Sequence, residues 1–95
     1  MKYDRESRER LYAEIIARKG AERQIVKAAE EFNEISQVLL KILYGEDTLD
    51  HLAEEAWDAL SMLEQMIWLF DITPDVQRWA AFKLKRTARK MGIDT

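Results

Sequence analysis

Ala29-Glu30-Glu31-Phe32-Asn33-Glu34-Ile35 and its near-copy Ala53-Glu54-Glu55-Ala56-Trp57-Asp58-Ala59 begin 24 residues apart. Residues three apart on an α-helix project from one face, so Glu31 with Glu34, and Glu55 with Asp58, each form a pair of carboxylates aimed the same way. In an antiparallel helical hairpin, residues equidistant from the turn face each other. The numbers of Glu31 and Asp58, and those of Glu34 and Glu55, both total 89, which centres the turn on Tyr44-Gly45. Gly45-Glu46-Asp47-Thr48 has the composition of a turn. Pattern and punctuation agree on one register, in which four carboxylates meet across the gap between two helices.

Working outward, the chain reads as all-α, an antiparallel bundle of about four helices. Glycine occurs three times, proline once, and no two-residue alternation suggests a strand. The first helix is expected from Asp4 to Arg18, stopped by Lys19-Gly20, and the second from Ala21 to Leu43. The third begins after an N-cap at Asp47 or Thr48 and runs to Phe70. The fourth starts at Thr73-Pro74-Asp75, with threonine as cap and proline in the first turn, and ends before Gly92. Residues 1–95 form one domain, with 1–19 as an N-terminal helix or arm and 20–91 as the functional helices.

The expected core of the second helix is Ile25, Ala28, Ala29, Phe32, Ile35, Leu39 and Leu43. Gln24, Lys27, Glu31, Glu34 and Val38 form a second stripe beside it. In the third helix Leu49, Ala53, Ala56, Leu60, Leu63, Ile67 and Phe70 mark the core. The carboxylates are therefore expected at its border, beside Met62 and Met66. Trp57 and Trp68 widen the apolar arc of the third helix beyond one face. A small four-helix unit covers such an arc poorly, so part of it is expected to be a subunit interface.

With 95 residues the chain is near the low end of the size at which a single core suffices. It has no cysteine and no apolar stretch at its start, and is expected to be soluble and cytoplasmic, without a membrane partner. The formal charge of −3 argues against binding a nucleic-acid polymer. Its distribution is uneven. Residues 74–95 carry six basic and two acidic residues, a local +4, which leaves −7 on the remainder. A basic segment beside an acidic cluster suits a divalent metal together with phosphate.

A lone Glu-x-x-Glu is ordinarily solvated surface. Two such pairs in register and flanked by apolar residues need cations, protons or basic partners. All four donors are hard oxygens and neither pair contains histidine, which favours Mg²⁺, with Mn²⁺ as substitute, over a redox dimetal site. His51 reads as a helix-start residue near the site. Glu30 and Glu54 read as solvated or outer carboxylates. Gln24 and Lys27 are either an exposed polar edge or a substrate-holding one. Lys83 and Arg86, with Trp79 one turn before them, are either a solvated face or a phosphate-binding pair. Met62 and Met66 read as core, and Trp57 as core or interface.

Glu30-Glu31-Phe32-Asn33-Glu34 on one helix and Glu55-Ala56-Trp57-Asp58 on the next resemble the paired motifs, Glu-Glu-x-x-Glu then Glu-x-x-Asp, of the MazG-like all-α nucleoside triphosphate pyrophosphohydrolases. The resemblance covers about residues 18 to 91. Gly20-Ala21-Glu22-Arg23-Gln24 and Lys83-Leu84-Lys85-Arg86 look like flanking stretches of small phage-type members. One departure is Ala56-Trp57-Asp58-Ala59, where the family often reads Ala-Asp-Val. The resemblance implies Mg²⁺-dependent cleavage of a nucleoside triphosphate to its monophosphate and pyrophosphate. By motif position it implies Glu31, Glu34, Glu55 and Asp58 as metal ligands. Glu30 or Glu34 would orient the water, and Gln24, Lys27, Lys83 and Arg86 would hold substrate in a homodimer or homotetramer. The alternative is a non-catalytic, metal-stabilised helical oligomer that binds a nucleotide or a protein.

Overall fold

The computed structural model describes residues 3–94, which form four helices and no strand: α1 (Arg5–Lys19), α2 (Ala21–Leu43), α3 (Leu49–Leu69) and α4 (Thr73–Met91). Local chemistry accounts for the boundaries. Asp4 caps α1, its side chain accepting from the Ser7 N–H at 2.9 Å. Gly20, at φ 94° and ψ 141°, ends α1 and starts α2 in a conformation that a side chain would strain. Thr48 is the N-cap of α3, with Oγ1 accepting from the His51 N–H at 3.1 Å.

The turn between α2 and α3 falls where the sequence places it. Gly45 takes φ 70°, and the N–H groups of Gly45 and Glu46 close onto Ile42 and Lys41 at 3.1 and 2.7 Å. The turn into α4 differs from expectation. Ile72, not Thr73, is the N-cap and supplies no side-chain bond, so Thr73 and Pro74 already belong to the first turn. The cause is Asp71, which takes φ 52° and lets the Ile72 N–H bond back to the Ile67 carbonyl at 3.2 Å.

The principal seam is the antiparallel pair α2–α3; α1 touches both, and α4 touches only α3. The seam uses the expected core only in part: Ala28 and Met62 are buried as expected, and Phe32, Ile35 and Ile67 are half-buried. Buried in α2 are Gln24, Ala28 and Val38, and in α3 Met62 and Gln65. Ile25, Ala29, Leu39 and Leu43 are exposed, as are Leu49, Ala53, Ala56, Leu60, Leu63 and Phe70. In α2 the seam thus turns toward the second stripe, through Gln24 and Val38, and much of the apolar stripe of both helices looks outward. Trp57 also points outward, half exposed.

α1 is tied to α3 by polar contacts. Arg8 donates twice to Glu64, Nε to Oε1 at 2.9 Å and an Nη to Oε2 at 3.0 Å, and the Tyr12 hydroxyl donates to Oε1 at 2.7 Å. The Arg8 guanidinium holds the Glu64 carboxyl below its ordinary range, while burial and the adjacent carboxylate push the Tyr12 phenol up to about 12. Tyr12, only 5% exposed, is the buried residue of α1.

Candidate metal centre

Glu31 and Glu55 are half-buried where α2 meets α3, at the border of the buried seam. Their side chains are each 14% exposed. One oxygen of each, Glu31 Oε2 and Glu55 Oε2, is buried with no hydrogen-bond partner. Glu34 is exposed, yet it brings a carboxylate oxygen to the same place: ligand atoms of Glu31, Glu34 and Glu55 all lie within 4.8 Å of one another. Asp58, the fourth expected ligand, is half-buried on the same side of α3 and falls outside that three-residue group. Its charge still acts on Glu31.

Desolvation raises the Glu31 pKa above the ordinary carboxylate value, and the negative charges of Glu34 and Asp58 raise it further. Lys27 opposes the shift, its ammonium 3.6 Å from Glu31 Oε1. Two anionic oxygens shut off from water without a donor are costly. A hard divalent cation would satisfy such oxygens, and the donor set, three carboxylates without thiolate, suits Mg²⁺ or Mn²⁺. The residues therefore fit the metal that the motif resemblance implies.

A second group sits one turn toward the start of α3. His51, Glu54 and Glu55 also bring ligand atoms within 4.8 Å of one another, so the two groups share Glu55. His51 is fixed from both sides: Nδ1 lies 2.9 Å from both Asp47 carboxylate oxygens, and Nε2 lies 3.4 Å from Glu55 Oε1. The Asp47 hydrogen bond, with the charges of Asp47, Glu55 and Glu54, raises the His51 pKa; Asp47 is lowered in turn by His51 and by the Thr48 N–H. His51 is a helix-start residue, as expected, its N–H bonded to the Thr48 cap, and its imidazole also borders the cluster. The signal lay in the four-residue steps from Asp47 to His51 to Glu55.

The expected substrate residues divide. Lys27 faces the cluster. Gln24 is not an exposed edge: it is 2% exposed and its amide donates to Gln65 Oε1 at 2.7 Å inside the seam. Lys83 and Arg86 are not brought to the carboxylates, because α4 has no contact with α2. They lie over aromatic rings of their own helix, Lys83 6.0 Å from the Trp79 centroid and Arg86 5.6 Å from Phe82. Glu30 is exposed and faces a concave surface at the α1–α2 corner that Lys19, Arg23 and Lys27 also line.

Comparison with family models, with curated proteins and with solved structures finds no match to this chain.

Proposed function

We propose that this chain is a Mg²⁺-dependent nucleoside triphosphate pyrophosphohydrolase, of the kind its paired motifs resemble, acting in the cytoplasm as a homo-oligomer. The observation that carries the proposal is the meeting of Glu31, Glu34 and Glu55 across the hairpin, with two carboxylate oxygens buried and unpartnered. Isolated acidic surface does not bury such atoms.

Glu31, Glu34 and Glu55 would hold the ion, with Asp58 as the fourth carboxylate within reach by motif position. The metal, Mg²⁺ or in its place Mn²⁺, would offset the repulsion between this cluster and a triphosphate and polarise the scissile phosphorus. Water attacks the α-phosphorus, the bridging bond from that phosphorus to the β-phosphate oxygen breaks, and pyrophosphate leaves with the bonding pair. Glu34 is exposed and keeps a carboxylate oxygen at the cluster, so it can orient the water and take its proton; Glu30, on the solvent side, is the other carboxylate for that role. Lys27 supplies a positive charge beside Glu31 for a phosphate oxygen. Lys83 and Arg86 would serve the triphosphate from α4 of a neighbouring copy.

The test is pyrophosphate release from a panel of ribo- and deoxyribonucleoside triphosphates with and without Mg²⁺, with Glu31→Gln and Glu55→Gln as controls. Metal-dependent release lost in both variants supports the assignment, and silence across the panel refutes it. The separation of α4 from the carboxylates favours a second reading, a non-catalytic metal-stabilised oligomer. That reading expects a metal-induced rise in melting temperature without turnover.

A further inference from the structure

α1 and α4 both pack on α3 and do not meet each other. The gap between them is a cavity of about 250 Å³. Its wall comes from all three helices: Arg5, Glu9 and Tyr12 of α1, Ile67 and Trp68 of α3, and Val76 of α4. Glu64 of α3 also lines it. Glu64 follows Glu55 by nine residues, and at about 100° per residue that puts the two on opposite sides of α3. The cavity is therefore separated from the carboxylate cluster by the body of that helix.

The cavity combines an apolar wall with a charge pair of both signs. Ile67, Trp68 and Val76 supply the apolar wall, and the buried Tyr12 adds a second aromatic ring. Among the charged lining groups Glu64 is already held, since Arg8 and the Tyr12 hydroxyl donate to it. What remains to read charge is Arg5 with Glu9. Their side chains are 62% and 39% exposed, and Arg5 Nε donates to Glu9 Oε1 at 3.1 Å. That bond leaves the two Nη atoms of Arg5 and Oε2 of Glu9 for other partners. An exposed ion pair one turn apart on a helix holds weakly, so a ligand that offers both signs of charge meets little competition.

We infer that this cavity binds a free α-amino acid with a one-ring aromatic side chain. Recognition takes an anion for the Arg5 fork and a cation for Glu9, held close together because Arg5 and Glu9 touch. An α-amino acid carries its carboxylate and its ammonium on a single carbon. A ligand with one charge would leave one member of the pair unmatched. The side chain then lies against Trp68, where a second ring packs offset or edge to face. A volume just below the roughly 300 Å³ at which drug-sized sites begin suits one ring better than two. Bound there, the amino acid joins α1 to α4, which otherwise connect only through α3. None of these residues belongs to the metal centre or to the cations assigned to the triphosphate, so the site stands whether or not the chain is a hydrolase.

Isothermal titration calorimetry on the full chain compares L-phenylalanine with phenethylamine, which lacks the carboxylate, and with 3-phenylpropanoate, which lacks the ammonium. The expected result is saturable binding of one L-phenylalanine per chain. Each truncated compound should bind about ten-fold more weakly or worse, for the charge-assisted contact that it lacks. Glu9→Gln should weaken L-phenylalanine to a similar degree and leave 3-phenylpropanoate unchanged, whereas Arg5→Gln should weaken L-phenylalanine and leave phenethylamine unchanged. Both side chains are open to solvent, so neither change should unfold the chain, which circular dichroism checks. No saturable binding of L-phenylalanine up to roughly 10 mM overturns the inference. So does equal binding of all three compounds, or L-phenylalanine binding that both variants leave unchanged, because the Arg5–Glu9 pair would then not read the ligand.

Discussion

The side-chain amide of Gln24 donates to Gln65 Oε1 at 2.7 Å, and the two residues are only 2% and 3% exposed. Their numbers also total 89, so this buried contact lies in the register that the two carboxylate motifs specify. Gln24 Oε1 has no hydrogen-bond partner, which leaves the pair polar, enclosed and incompletely satisfied. Such a pair aligns the helices at the far end of the hairpin from its turn.

Removing one member strands the other. Gln24→Met or Gln65→Met alone should cost about 1–3 kcal/mol, since each leaves a desolvated amide unpaired. The double variant should recover most of that loss, because apolar groups of similar length then fill the seam. A double-mutant cycle in urea checks this. Additive losses would mean that the two amides do not interact in solution.

Metal should stabilise the chain in a pH-dependent way. The Glu31 pKa is raised above its ordinary 4.5, so without metal the protonated carboxyl favours folding. That contribution is fully present below pH 4.5 and is lost as pH rises through the raised folded value. A cation binds the ionised form, so the upshift in melting temperature on adding Mg²⁺ or Mn²⁺ should grow across the same interval. At a metal concentration 100-fold above Kd the stabilisation is about 2.7 kcal/mol. Glu31→Gln should abolish the shift, and a shift independent of pH would contradict this site.

His51 should titrate above 6.5, and Asp47 below 3.8, because each favours the charged form of the other. The stability contributed by His51 is fully present below pH 6.5 and is lost as pH rises through its raised folded value. The contribution of Asp47 is present above pH 3.8 and is lost as pH falls through its lowered one. Their ion pair therefore supports the start of α3 between those limits. NMR titration of the imidazole checks the shift, and Asp47→Asn should bring it back toward 6.5.

Tyr12→Phe removes the hydroxyl that donates to Glu64 and leaves the two Arg8 contacts in place. The expected loss is about 1 kcal/mol, a few degrees in melting temperature. Glu64→Gln should lose more, because it weakens both Arg8 contacts along with the hydroxyl contact. Equal melting temperatures for wild type and Tyr12→Phe would show that the hydroxyl contact adds nothing to the two Arg8 contacts.

If Lys83 and Arg86 serve a neighbour's carboxylates, two inactive variants should complement each other. Glu31→Gln mixed with the Lys83→Met and Arg86→Met double variant, then unfolded and refolded together, should regain about a quarter of wild-type pyrophosphate release. Half of the dimers would be mixed, each with one intact site. Activity no greater than the sum of the separate variants would place those cations elsewhere.

Much of this molecule is local in origin and legible in the chain. Capping and turn chemistry at Asp4, Gly20, Gly45 and Thr48 bound three helices, and the spacing of the two acidic motifs specifies the α2–α3 register that Gln24 and Gln65 confirm. The choice of face was not local. Apolar periodicity marks Ile25, Leu39 and Leu60 as core along with Ala28, yet within one chain the seam keeps Ala28 and takes Gln24, Glu31 and Val38 from the stripe beside it. Periodicity measures how apolar a face is and not which neighbour meets it. The same limit hid the contacts of Arg8 and Tyr12 with Glu64, more than fifty residues distant in sequence, and the separation of α4 from the carboxylates. Those depend on how helices pair in space, and only the tertiary structure, where buried area and ion pairing compete across the whole chain, decides that.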